Sequence, residues 1–203
     1  MKKIKLLVLM VVLLTFPMIQ NCGTASKGGG SSYTIAQDLV NQGWDEISIG
    51  NYKTAETLFQ QALAENKTEA IRISANNGMG WALSKNGKIL ESIPYFEAAA
   101  ISDNEAVVGL CGALIYRHQT TQDYVRAAEM LGNMPPEKFA QIHSGLSLSS
   151  AKVHALAALA YALAGDKEKA KVYINKAAAL DSMMVGTGVD KLDDAFFLLG
   201  WKD

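Results

Sequence analysis

Three stretches of this chain place two small residues twelve positions apart: Gly43 with Ala55, Gly80 with Ser92, and Ala158 with Ala170. Four positions after each pair comes a large apolar residue, Phe59, Phe96 or Ile174. Three further on stands another small one, Ala62, Ala99 or Ala177. A glycine lies inside each interval, at Gly50, Gly87 and Gly165. Few folds satisfy such a pattern. Two antiparallel helices approach closely only where the crossing side chains are small. The glycine marks the point where the chain leaves the first helix. Apolar residues around these positions recur every three to four residues, as helices buried on one side require. The chain therefore reads as all-α, built from repeated helix hairpins.

The repeating segments are "LVNQGWDEISIGNYKTAETLFQQAL", "NNGMGWALSKNGKILESIPYFEAAA" and "HALAALAYALAGDKEKAKVYINKAA". A fourth, "AVVGLCGALIYRHQTTQDYVRAAEML", is more degenerate. Tyr124, Ala127 and Leu131 take its second-helix positions, and Gly112 pairs with Ala127 across a longer turn. An insertion at 133–149 follows, where Pro135 and Pro136 suit the first turn of a short helix. Ser149 or Ser150 would cap the helix after it. Together these segments resemble the tetratricopeptide repeat (TPR), over residues 36–181. The resemblance implies a TPR-like α-solenoid of antiparallel helix pairs, about four in number. Gln42 and Glu46 depart from it, occupying positions that the family fills with apolar residues. So does Pro94, which should kink its helix or delay the start. A solenoid end needs a cover. "KLDDAFFLLGW", residues 191–201, sets Leu192, Ala195, Phe196 and Leu199 on one helical face and reads as a C-terminal capping helix.

The family's concave groove, carried over by position, falls on Val40, Trp44 and Ile47 in the first unit. In the second it falls on Asn77, Trp81, Ser84 and Lys85, and in the last on Ala155, Leu159 and Ala162. Trp44 and Trp81 each follow the small crossing residue by one position. Tryptophan is favoured at binding hot spots. It equally serves to pack one repeat on the next, and the sequence leaves both roles open.

The N-terminus has a different character. Lys2, Lys3 and Lys5 precede "LLVLMVVLLTF", an apolar run too short to span a bilayer and suited to a signal-peptide core. Ile19-Gln20-Asn21-Cys22 resembles the lipobox of bacterial lipoproteins, with Ile19 and Cys22 matching and Gln20 and Asn21 departing. That resemblance implies cleavage before Cys22 and a covalent lipid on it. Gly23 in place of Asp implies, on the pattern of Gram-negative lipoproteins, onward export to the outer membrane. The Gly/Ser-rich residues 23–33 then form a flexible tether with a root-mean-square reach of about 15–20 Å.

Chemistry is sparse. The chain's net charge is −1, and losing the leader removes three further positive charges. That disfavours nucleic acid. His118, His143 and His154 have no metal-ligand spacing. "HSGLSLSSAKVH" lacks the G-x-S-x-G elbow, and "GMGWALSKNGK" is neither a phosphate loop nor outside a helix. No Asp/Glu pair stands out in an apolar setting as acid and base. Cys111, alone in an apolar run, reads as a buried thiol. Neither metal nor cofactor is expected, apart from the lipid on Cys22.

The organisation expected is a signal peptide at 1–21, a lipidated Cys22 and tether at 22–33, a helical repeat body at 34–181, and a loop with capping helix at 182–203. The function expected is a non-enzymatic scaffold. It would be anchored to the cell membrane or outer membrane, facing the periplasm or the surface, and would bind proteins of the cell envelope. Two alternatives remain: an accessory subunit of an envelope complex with no peptide groove, and a secreted, non-lipidated TPR protein.

Overall fold

The structure, a computed structural model, describes residues 32–65, 68–134, 139 and 141–181. Eight α-helices account for most of them: α1 (Ser32–Ser48), α2 (Tyr52–Glu65), α3 (Glu69–Lys85), α4 (Ile89–Ala99), α5 (Asn104–Arg117), α6 (Thr121–Gly132), α7 (Ser150–Leu163) and α8 (Lys167–Leu180). Each odd-numbered helix packs on the even-numbered one that follows, and each hairpin packs on the next. Helices α1, α3, α5 and α7 also touch in succession, so the first helices of the hairpins form the inner, crowded layer of the stack. The expected signal peptide, the expected tether up to residue 31, Pro135, Pro136 and the expected capping helix lie outside the described residues; Ser32 and Tyr33, the expected end of the tether, already belong to α1.

Local chemistry sets the helix ends. Gly50, Gly87 and Gly165 all adopt left-handed backbone, with φ of 84°, 79° and 89°, where only glycine is unstrained. Asp103, Thr120, Ser149 and Asp166 cap α5, α6, α7 and α8, each side chain accepting from a backbone amide three residues on. Such a cap contributes about 1 kcal/mol. Pro94 sits inside α4, yet the helix starts ahead of it at Ile89, so its start is not delayed.

Two phenylalanines lock the first three hairpins together. Phe59 on α2 is fully buried, and its ring fills the space over Gly43 of α1; a methyl there would lie 2.7 Å from the ring. The same ring also closes over Gly78 of α3, where a methyl would clash still harder. Phe96 on α4 repeats the arrangement between Gly80 of α3 and Gly109 of α5. One ring thus joins its own hairpin and keys it to the next. Trp44 meets Phe59 edge-on at 5.5 Å, and Trp81 meets Phe96 edge-on at 5.4 Å. Ala55 and Ser92, the other crossing residues, are also fully buried.

The register then shifts. The sequence pairs Gly112 with Ala127, but the structure puts Cys111 there, its Sγ donating to the Ala127 carbonyl at 3.6 Å. Gly109 precedes Cys111 by two positions, as Gly78 precedes Gly80, and each faces the preceding phenylalanine. The turn between α5 and α6, opened by His118 at φ 37°, absorbs the difference. The last hairpin uses another lock. Ala158 is buried, but Ala170 and Ile174 are only half-buried. Tyr161 and Tyr173 stack there at 5.3 Å, and the Tyr173 hydroxyl donates to the Gly132 carbonyl at 3.2 Å, tying α8 to α6.

Candidate binding surface on the inner layer

The described end of the insertion between α6 and α7, residues 141–149, lies over the inner layer and reaches the first hairpin. Glu105, in the first turn of α5, is almost fully buried. One of its oxygens accepts from the backbone amides of Ile142 and His143, at 2.6 and 2.9 Å. The other meets His143 Nδ1 at 2.5 Å. The His143 ring lies flat on the Trp44 indole, with centroids 3.5 Å apart and planes 9° apart. Trp44 Nε1 in turn donates to Ser74 Oγ at 3.5 Å. Beyond His143 a turn of 3-10 helix, Ser144–Leu146, presses against α1. Gly145 comes so near Ser48 that a methyl would stand 2.9 Å from its Cα. Leu146 and Leu148 are buried in one continuous core with Val40, Trp44 and Ile47.

Both ends of the segment are held as well. The Phe139 amide donates to Ser150 Oγ at 3.1 Å. Lys152 Nζ donates to the Ser147 carbonyl. Ser149 supplies the helix cap already described, one of the two residues the sequence offers for it.

Electrostatics divide the acidic pair. Burial pushes the Glu105 carboxyl up, but the hydrogen bonds and charge of His143 and the amide of Ile142 more than reverse this, leaving it below its ordinary value. Asp103 is held above its ordinary value, first by burial and then by the Glu105 charge, against the amides that bond it. Asn77 Nδ2 lies between them, 3.1 Å from Asp103 Oδ2 and 3.4 Å from Glu105 Oε2. Two lysines face the inner layer further along. Burial depresses Lys85, as does the charge of Lys152, and burial depresses Lys152 also.

The groove residues expected from the sequence are therefore divided. Trp44 and Asn77 meet in one cluster with Glu105 and His143. Val40, Ile47, Trp81, Ser84, Ala155 and Leu159 are buried, and Trp81 turns its edge to Phe96. Lys85 is half-buried and Ala162 exposed. Sequence reasoning passed over Asp103 and Glu105, and weighed His143 only as a metal ligand or catalytic base. The available signal was two acids set directly before the apolar run "AVVGLCGALI". An acid in that place must find a partner. Among the described residues no group of three or more metal-ligating side chains gathers, and no helix is long and apolar enough to cross a membrane.

Residues 151–182, spanning α7 and α8, match the family model of the tetratricopeptide repeat. A solved structure similar to this chain is that of a thermophilic TPR protein from Thermus thermophilus. It is 20% identical, with 82% of this chain and 84% of that one covered at a TM-score of 0.52. The fold is a TPR-like α-solenoid. No curated protein matches the chain in sequence.

Proposed function

We propose that this chain is a membrane-anchored TPR scaffold that binds other proteins in the bacterial cell envelope and catalyses no reaction. One observation carries the reading. The inner layer already holds a non-helical segment of polypeptide with one 3-10 turn, residues 141–148, by backbone hydrogen bonds to Glu105 and ring stacking on Trp44. A surface that seats one strand has the chemistry to seat others. The anchor rests on the lipobox-like Ile19–Cys22 pattern and the Gly/Ser tether. Lipid on Cys22 would hold the body within tether reach of the bilayer and raise the local concentration of its clients there. Lipidation would place it at the cell membrane or outer membrane.

A photo-crosslinker at Lys85 or Ala162, two of the expected groove positions that keep accessible surface, tests the scaffold. Capture of a defined envelope protein from these sites is the expected result. Palmitate incorporation that disappears in Cys22→Ser tests the anchor; an unlabelled parent protein refutes it.

The burial of Trp81 and Ser84 favours a second reading, an accessory subunit that makes its contacts elsewhere. Ile101 is 80% exposed and Leu90 51% exposed, on α4 and the turn after it. Crosslinks from those two positions and none from Lys85 or Ala162 would decide for it.

A further inference from the structure

We propose that Trp44, Asn77 and Glu105 form a receptor for a histidine-bearing peptide segment that turns after its histidine, and that residues 141–148 are its tethered resident ligand. The inference deepens the scaffold reading and rests on it. The strand presents three features to three fixed places. His143 brings a planar ring to the Trp44 face and its Nδ1 to Glu105. Ile142 and His143 bring two successive backbone amides to one oxygen of the same carboxylate. Gly145 and Leu146 then pass Ser48, where only a glycine fits, and enter the core.

The arrangement concentrates its polar contacts on one buried carboxylate. A nearly fully buried carboxylate is costly unless it is bonded. Four groups bond this one: two amides and one ring from the strand, and Asn77 from α3. Three of the four leave with the strand. The free receptor would hold a strongly unsatisfied acid, so a replacement must supply the same donors. The client class follows: a segment with histidine at the Trp44 contact and a tight turn after it that carries glycine two residues later and a large aliphatic residue after that. The tether makes the resident strand a competitor at an effective concentration of about 1 mM, and a client must displace it.

The test uses the full chain and a synthetic peptide of residues 141–148, QIHSGLSL, carrying a fluorophore, with a second peptide in which alanine replaces the histidine. Binding is read by fluorescence anisotropy up to about 1 mM peptide. The proteins are the parent and a variant whose own strand is weakened by His143→Ala and Gly145→Ala, its helicity verified by circular dichroism. The expected result is binding to the variant, weaker by about tenfold or more in the parent. Binding should be lost with the alanine peptide, and also when Glu105→Gln is added to the variant. Equal affinity in parent and variant, equal binding of both peptides, or no binding to the variant each overturns the proposal. Glu105→Gln alone provides a second route: it should raise hydrogen exchange at the Ile142 and His143 amides, and unchanged protection counts against the receptor. Failure here, with crosslinks still arriving at Lys85 or Ala162, rejects the tethered ligand and leaves the scaffold standing. Peptide binding without crosslinks keeps the receptor and removes Lys85 and Ala162 from the contact surface.

Discussion

His143 stacks on Trp44 from the far side of three hairpins in sequence, ring on ring at 3.5 Å. In a solenoid each repeat ordinarily touches only its neighbours, and stability is a sum of local terms. Here the strand before α7 closes on α1, so the two ends of the stack are joined directly as well as through α3 to α6. The contact is both a clasp on the fold and an occupant of the inner layer.

The clasp is most sensitive at Gly145. A methyl there would lie 2.9 Å from Ser48 Cα and 3.2 Å from its backbone nitrogen, and backbone cannot swing aside as a flexible side chain can. Gly145→Ala should push the strand off α1 and cost about 1–3 kcal/mol in urea unfolding. Trp44 would lose its cover, so tryptophan emission should shift to longer wavelength, and a protease should cut within 141–148 at concentrations that spare the parent. Unaltered emission and cleavage would show that the strand does not depend on this approach.

The phenylalanine locks make a second prediction. Gly78→Ala puts a methyl into the Phe59 ring and should destabilise the protein by about 1–3 kcal/mol. Phe59→Leu in the same chain shrinks the opposing group. The double variant should therefore be more stable than the sum of the two single losses predicts, with a coupling of about 0.5–3 kcal/mol. Gly87→Ala is the control: nothing lies within 4 Å of its added methyl, so only its φ of 79° is penalised, by about 1–2 kcal/mol. Its loss should be the same whether or not the chain also carries Phe59→Leu.

The repeat was legible because its signals are local and periodic. Gly43 and Gly80, Phe59 and Phe96, and the turn glycines recur at fixed spacing. One-sided burial imposes that spacing on any helix pair. Gly78 and Gly109 were harder to read, since they face the preceding hairpin and no interval within a single repeat marks them. The fourth unit misled by one residue, from Gly112 to Cys111, because a sulfhydryl is small enough to stand where a glycine was sought. The strand at 141–148 left almost no trace. It is too short for periodicity. Its partners Trp44, Ser48 and Glu105 lie on two other helices, so nothing in its own neighbourhood fixes its place. The burial of Trp81 shows the limit of carrying groove positions over by resemblance, since neighbouring rings decide how much surface remains.

Cys111 should behave as an inert thiol while the fold is intact. It is fully buried against the Ala127 carbonyl, and burial holds the thiol far above its ordinary value, with the nearby Arg126 charge only slightly opposing this. The thiolate is the reactive species. Labelling by a thiol reagent at neutral pH, in a Cys22→Ser chain, should therefore be negligible in buffer and rise with urea along the unfolding curve. Rapid labelling in buffer would show that α5 and α6 part without global unfolding.

Acid should loosen the clasp through Glu105. Its folded pKa lies below the unfolded value of about 4.3. A carboxyl so depressed adds stability above that value, and the contribution is lost as pH falls through the folded pKa. Asp103 works in the opposite sense: its folded pKa is raised, so its contribution is present below the unfolded value and lost as pH rises through the folded one. Asp123, depressed by its bond to Arg117, acts like Glu105 but on α6, away from the strand. Acidification from about pH 6 to about pH 3.5 crosses the upper part of this window. The urea midpoint should fall over that range in the parent. In Glu105→Gln the midpoint at pH 6 should start lower and decline less, because glutamine has no proton to take up and only the opposed contributions of Asp123 and Asp103 remain of the three. The shift in tryptophan emission on acidification should also shrink in the variant, which isolates the strand from the rest of the molecule. Parallel midpoint curves for the two proteins would mean that the buried carboxylate is not what couples the inner layer to pH.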